Sequence, residues 1–296
     1  MNRLLDTAHR IARTNGLLRD QVLKELMHYD ILSVLTGCAV ASRLVFQGGT
    51  AIRLCYGGLR LSEDLDFVCG PEALDSTALD AFAIQLTRRF EQAYDLRLKI
   101  ERPPRQKNLM RWKVRIYLPD AAQNPSMPQS QFVSVEVMAV PSYDSTWRLI
   151  RAQYPDLPAG DARSLYLSVE SESEIMADKI VALGARPYLK WRDVWDVAFL
   201  YDAGIRVTLT LADWVLRKLS DYGLDKATWQ AGLKERVAQL ALPERLTPYR
   251  AEMSRFLPAS HPLIKTEAGV LESFRKVAAL LQADLLLGRM ELSEAE

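Results

Sequence analysis

Apolar residues recur at helical spacing over residues 3–13 and 20–36, where Leu23, Leu26, Met27 and Ile31 mark the period of an amphipathic helix. A short apolar run, "RLVFQGG", then reads as a strand closed by two glycines. Thr50 follows in the N-cap position of a helix carrying Ile52, Leu54 and Cys55. "DLDFV" is a second short strand, and residues 72–93 return to helical spacing. The period then changes to two. "LRLKI", "RWKVRIYL" and "FVSVEVMAV" alternate or run apolar over strand lengths, separated by proline-rich and polar connections. Residues 141–168 hold three prolines and no sustained period, and are expected to be an irregular connection. From 171 onward the spacing is helical throughout, over 171–184, 191–202, 208–221, 225–241, 245–256 and 267–288.

This order predicts an α/β fold in two domains. Residues 1–165 form a small mixed sheet with N-terminal helices, and residues 166–296 an all-helical lobe. A cleft between two lobes is a usual place for a ligand, and the site is expected there.

Composition narrows the class. Of 296 residues, 49% are hydrophobic and 25% charged, enough apolar material for a core without staples. A net charge of +1 carries no global signal for nucleic acid, so such a partner has to be argued locally. The three cysteines, Cys38, Cys55 and Cys69, have no paired spacing and read as reduced thiols. The opening "MNRLLDTAHRIARTNG" lacks an apolar core segment and is not expected to be a signal peptide. No apolar run reaches membrane-spanning length, so a cytoplasmic location without a membrane partner is expected.

The candidate chemistry lies in "FQGGTAIRLCYGGLRLSEDLDF". Asp64 and Asp66 alternate with Leu65 and Phe67, so the two carboxylates share one strand face, roughly 7 Å apart along it. They repel each other unless a cation answers them. Magnesium fits, because it prefers oxygen donors, takes one or two carboxylates, and completes its shell with phosphate and water. A solvated strand edge bearing two acids is the plain alternative. Upstream, Gly48 and Gly49 join a strand to a helix, where close backbone approach and exposed N–H groups suit phosphate. A third acid, Glu136, interrupts a valine-rich strand and lies on the face opposite Val133, Val135 and Val137. If buried, it requires a partner, and a shared metal or an arginine would each serve.

The ordered set G-G-T, R-L-S-E-D-L-D-F, a V-E strand, a helical lysine and R-D-x-x-D, spread over residues 46–200, resembles the AbiEii/AbiGii toxin family. That family belongs to the DNA polymerase β-like nucleotidyltransferase superfamily and is known from abortive-infection and type IV toxin–antitoxin systems. The resemblance implies that Asp64 and Asp66 bind magnesium, or manganese in its place, on a nucleoside triphosphate. Glu136 is implied as the third carboxylate, Gly48, Gly49, Thr50 and Ser62 as phosphate contacts, and Lys179 as a cation for the triphosphate. Asp196 is implied to complete the site, with Asp193 the other acid of its block. The implied activity is transfer of a nucleotide to an RNA acceptor, with the tRNA 3′ end in first place, causing growth arrest. A cognate antitoxin protein is the implied partner. The plain reading of the second block is a packed helix with Arg192, Asp193 and Asp196 facing water.

A basic row adds a possible acceptor surface. Arg111, Lys113 and Arg115 share one strand face, with Trp112, Val114 and Ile116 on the other. Like charges in a row weaken a sheet unless water or an anion answers them. The row suits either a nucleic-acid backbone or a solvated, aggregation-blocking edge. Tyr188 and Trp191 are candidates to stack a base or simply to pack. Two other functions stay open: transfer to a small-molecule or protein hydroxyl, and a catalytically inactive nucleotide-binding module.

Overall fold

The computed structural model describes residues 2–72, 77, 79–104, 108–119, 129–154, 157, 165–258, 260–262, 266–283 and 286. The chain divides into two compact units, Met1–Val169 and Glu170–Glu296.

In the first unit, Asn2 accepts the N–H groups of Leu4 and Leu5 and starts α1 (Arg3–Asn15), which Gly16 ends in the left-handed region. The next helix, α2 (Arg19–Thr36), departs from the amphipathic expectation. It is buried on nearly every side, including Gln21, Glu25, His28 and Asp30. A helix in that position has to pair its polar groups. Glu25 takes the Arg53 guanidinium at 2.9 Å, and Asp30 accepts from Arg89 at 3.1 Å and from the Tyr94 hydroxyl at 2.7 Å.

Seven strands form one mixed sheet: β1 (Val45–Gln47), β2 (Leu65–Val68), β3 (Leu98–Glu101), β4 (Leu109–Tyr117), β5 (Ser130–Met138), β6 (Ser145–Leu149) and β7 (Tyr166–Glu170). Their order is β3-β4-β5-β2-β1-β7-β6. β2 runs parallel to β5 and β1 parallel to β7, whereas β1–β2, β3–β4 and β4–β5 are antiparallel. One face buries Phe46, Leu65, Phe67, Trp112, Val114, Val133, Val135 and Val137. The helices α3 (Gly48–Cys55) and α4 (Asp80–Tyr94) complete the unit. α4 begins at Asp80, later than the periodicity suggested; residues 73–76 and 78 of the expected helix lie outside the described residues. The expected irregular connection holds β6 and β7. β6 is exposed along nearly its whole length, so it shows no alternation to read, and β7 contributes only Leu167 and Val169 to the core. Cys38, Cys55 and Cys69 are free thiols.

The second unit is helical, with α5 (Glu172–Ala185), α6 (Trp191–Asp202), α7 (Leu209–Asp221), α8 (Lys226–Leu240), α9 (Leu246–Met253) and α10 (Glu267–Leu281). Ser171, Thr208, Asp225 and Thr266 cap α5, α7, α8 and α10 with side-chain oxygens. α5 and α8 approach so closely that a Cβ at Gly232 would strike the Gly184 carbonyl. The end of the expected 267–288 helix falls partly outside the described residues. Among the described residues, no helix is long and apolar enough to cross a membrane.

Candidate active site

β1 passes into α3 without a loop, and Gly48 makes the turn at φ +78°. A side chain there would be strained, and its Cβ would stand 2.6 Å from Asp66 Oδ2. At Gly49 a Cβ would strike the guanidinium of Arg60, a buried residue whose Nη1 donates to the Leu61 carbonyl at 3.0 Å. The two glycines therefore admit two specific side chains, Asp66 and Arg60, against the start of α3. Thr50 is not the N-cap, because Gln47 occupies that position and makes no side-chain cap bond. Thr50 is buried in the first turn, and its hydroxyl donates to the Asp64 carbonyl at 2.5 Å. This bond ties the helix start to the segment leading into β2. Ser62 is also buried.

The carboxylates follow from strand register. Asp66 pairs with Gln47 of β1 on one side and with Glu136 of β5 on the other. Register and pleat put Asp66 and Glu136 on the same sheet face, away from the valine core. Arg111 of β4 stands opposite Glu136, and its Nε donates to Oε1 at 2.7 Å. Of the two partners open to Glu136, the arginine is the one in contact. Asp64 lies two residues before Asp66 and is partly exposed, as Asp66 is. Among the described residues, no group of three His, Cys, Asp or Glu side chains stands close enough to hold a metal ion. Asp64 and Asp66 are hard oxygen donors, a type that suits magnesium completed by phosphate and water.

The basic row is answered largely from within the sheet. Arg111 holds Glu136, and Arg115 holds Glu101 at 2.9 Å and donates to Ser130 at 3.0 Å. Lys24, Lys113 and Arg115 lie 5.5, 5.4 and 5.2 Å from the centre of the Phe132 ring. The pairing with Arg115 pulls the Glu101 carboxyl below its ordinary range. The opposite face, Trp112, Val114 and Ile116, is core.

In the helical unit, Lys179 of α5 reaches Asp193 at 2.9 Å and Asp196 at 2.8 Å, both on α6. Arg186 also contacts Asp193. The two aspartate side chains are only 2% and 1% exposed, so the solvated reading of these acids does not hold. Trp191 is packed, stacked on Phe274 at 5.4 Å and edge-on to Tyr249 at 5.7 Å. Tyr188, by contrast, is 63% exposed.

Sequence reading did not single out two features. Arg60 sits inside the R-L-S-E-D-L-D-F string, but its burial against Gly49 is a tertiary contact that spacing cannot show. The other is a buried cluster in which Lys218 meets Glu170 at 3.3 Å, Glu174 at 2.8 Å and Asp178 at 2.8 Å. The Tyr222 hydroxyl donates to Asp178 at 2.9 Å. Burial and the Asp178 charge push the Glu170 carboxyl well above its ordinary range. Its signal was the i, i+4 pair Glu174 and Asp178 within an apolar helix.

Residues 30–280 match the profile of the family described as nucleotidyl transferase AbiEii toxin, type IV toxin–antitoxin system. No curated protein matches the chain in sequence. Among solved structures, the nucleotidyltransferase toxin MenT4 from Mycobacterium tuberculosis is similar at 20% identity and TM-score 0.54, over 95% of this chain and 91% of that one. JHP933 from Helicobacter pylori is similar at 19% identity and TM-score 0.50, over 92% and 94%. At these identities the structures speak for the fold, and the family match for the chemistry.

Proposed function

Because the chain belongs to the AbiEii nucleotidyl transferase toxin family of type IV toxin–antitoxin systems, we propose that it moves a nucleotide from a nucleoside triphosphate to an RNA acceptor, with the tRNA 3′ end as first candidate. The nucleotidyltransferase activity and the triphosphate substrate come with the family; the acceptor and the dependence on magnesium are our reading. The observation that carries it is the register of Asp66 with Glu136 on one sheet face, beside the glycine turn at Gly48.

In this reading a hydroxyl oxygen of the acceptor attacks the α-phosphorus. The bond to the β-bridging oxygen breaks, pyrophosphate leaves, and the hydroxyl proton passes to a carboxylate or water. Asp64 and Asp66 would hold magnesium, or manganese in its place, which when bound supplies Lewis-acid polarisation of the phosphate oxygens. Gly48 and Gly49 offer backbone N–H groups at the start of α3 to the phosphates. The Thr50 hydroxyl, which donates to the Asp64 carbonyl, holds that turn, and Thr50 and Ser62 remain assigned to the phosphate end of the site. Glu136, fixed by Arg111, is the third carboxylate, placed to take the proton or a second ion. Lys179 and Asp196 are assigned to the same reaction as the helical unit's contribution. A cognate antitoxin is the protein partner expected of a type IV system.

The test is incubation of the purified chain with each α-labelled triphosphate and total RNA, with magnesium, with manganese, or with a chelator. Label in RNA that depends on the ion and is lost in Asp64→Asn and Asp66→Asn is expected. Label in protein or in a small molecule instead would replace the RNA acceptor. Full transfer in the presence of chelator would overturn the metal assignment.

A further inference from the structure

We propose that the helical unit carries a docking pocket for one nucleotide of a single-stranded RNA acceptor, an inference that rests on the RNA reading above. The pocket lies between the start of α6 and the end of α9. It is a cavity of about 370 Å³ lined by Tyr188, Lys190, Arg192, Glu252, Arg255 and Phe256. That volume falls within the usual range for small-molecule sites and is far too small for a duplex groove.

Its charge points to an anion. The lining holds three cations and one carboxylate. The carboxylate is committed to structure, since Glu252 accepts the Arg192 backbone N–H at 3.3 Å and lies 3.5 Å from Arg192 Nε. Phe256 gathers the positive charge. The guanidinium of Arg192 lies 4.6 Å from the ring centre and that of Arg255 lies 5.3 Å from it. Two guanidiniums beside one buried ring, with Lys190 in the same lining, present donors in the fork geometry that a phosphate accepts. The same arrangement covers Phe256 with cations and argues against an apolar ligand.

Tyr188 adds the second half of a nucleotide site. It is a large aromatic side chain at the pocket rim, 63% exposed, while its near neighbour Trp191 is spent on core packing. An exposed ring beside a basic pocket is the pairing that binds single strands, with the base on the ring and the phosphate on the cations. An acidic peptide would use the cations and leave the tyrosine without a role.

The test measures anisotropy of a fluorescent single-stranded RNA with the full chain across a salt series. The parent is compared with Tyr188→Ala, Arg255→Ala and Lys190→Ala/Arg255→Ala. Tyr188 and Arg255 are exposed, so melting temperatures are expected to stay at the parent value. Tyr188→Ala is expected to weaken binding by roughly 5- to 100-fold through loss of stacking. Each lost cation is expected to lower the slope of log affinity against log salt by about 0.7. Variants that bind RNA as the parent does, a parent that binds no RNA, or an acidic peptide that displaces RNA at equal concentration each overturn the pocket. Transfer to RNA is followed in parallel. If the parent labels RNA while the variants keep its affinity, the pocket fails and the proposed reaction stands. If the variants lose affinity but the parent labels no RNA, the pocket stands and the acceptor reading fails.

Discussion

Asp66 and Glu136 stand side by side across the parallel pair β2–β5, and Arg111 closes on Glu136 from β4. Two adjacent carboxylates on one sheet face repel each other, and a cation beside either of them offsets the cost. Arg111 is one such cation within the protein, on the Glu136 side. We therefore expect Arg111→Ala to lower stability modestly, by no more than about 1 kcal/mol, because the pair is partly exposed. Magnesium should then raise melting more in the variant than in the parent, since an ion relieves repulsion that arginine no longer does. Melting curves with and without magnesium check this. An equal magnesium shift in both proteins would separate Glu136 from the ion site.

Gly48 should be intolerant of any side chain. Alanine there would be strained at φ +78°, and its Cβ would press on Asp66 Oδ2 at 2.6 Å. We expect Gly48→Ala to cost about 1–2 kcal/mol in stability from the backbone alone. Displacement of Asp66 should cost far more in transfer rate than that stability loss explains. Rates on protein shown to be folded, at a temperature well below melting, separate the two effects. Near-parent activity would mean that Asp66 can move without harm.

The sequence made the fold and one half of the site readable for a physical reason. Asp66 and Glu136 lie on strands with buried apolar partners on the other face, so a period of two reveals which side each acid takes, whereas Asp64 stands just before β2 rather than on it. The helices of the second unit announce themselves through sustained helical spacing, and the structure adds their caps at Ser171, Thr208, Asp225 and Thr266. Partners across tertiary contacts were not readable. Nothing in spacing tells that Glu136 meets Arg111 rather than an ion, that Arg60 folds back on Gly49, or that Thr50 gives its hydroxyl to a carbonyl. α2 was misjudged because its burial comes from neighbours on several sides and not from its own pattern. β6 was missed because an exposed edge carries no alternation.

His28 gives the protein a defined acid limit. It is buried in α2 and its Nε2 lies 3.2 Å from the Glu63 carbonyl, so the neutral ring donates to that oxygen. Burial pulls its pKa from the ordinary 6.5 down to about 4. A group depressed in the folded state contributes its stability above the unfolded value and loses it as pH falls through the folded one. The expected loss between pH 6.5 and 4 is roughly 3 kcal/mol. Glu170 acts in the opposite sense, since its raised pKa contributes stability at acid pH that is given up as pH rises above the ordinary glutamate value. Comparing the parent with His28→Gln isolates the histidine, because glutamine keeps a donor for the carbonyl without the titration. Denaturant unfolding across this window should show a steeper pH slope in the parent. Parallel slopes would exclude His28 as the cause.

Lys179 now carries a different expectation from the one its sequence position suggested. As a solvated phosphate ligand, its loss would reduce rate by about 100- to 1000-fold and leave stability alone. In the structure it bridges Asp193 and Asp196, two aspartates almost wholly removed from water. Deleting one partner of a buried ionic cluster leaves charge without compensation, which costs about 3–5 kcal/mol. Arg186 still meets Asp193, and Asp196 loses its 2.8 Å contact with Lys179. We therefore expect Lys179→Ala to melt well below the parent. Adding Asp196→Asn removes the uncompensated charge and should restore part of the melting temperature. The pair of variants then separates structure from chemistry. Transfer that stays at least about 100-fold down in the double variant, at a temperature where it is fully folded, is the expected result and assigns this cluster to the reaction. Transfer that returns together with stability would mean that Lys179 only holds α5 to α6.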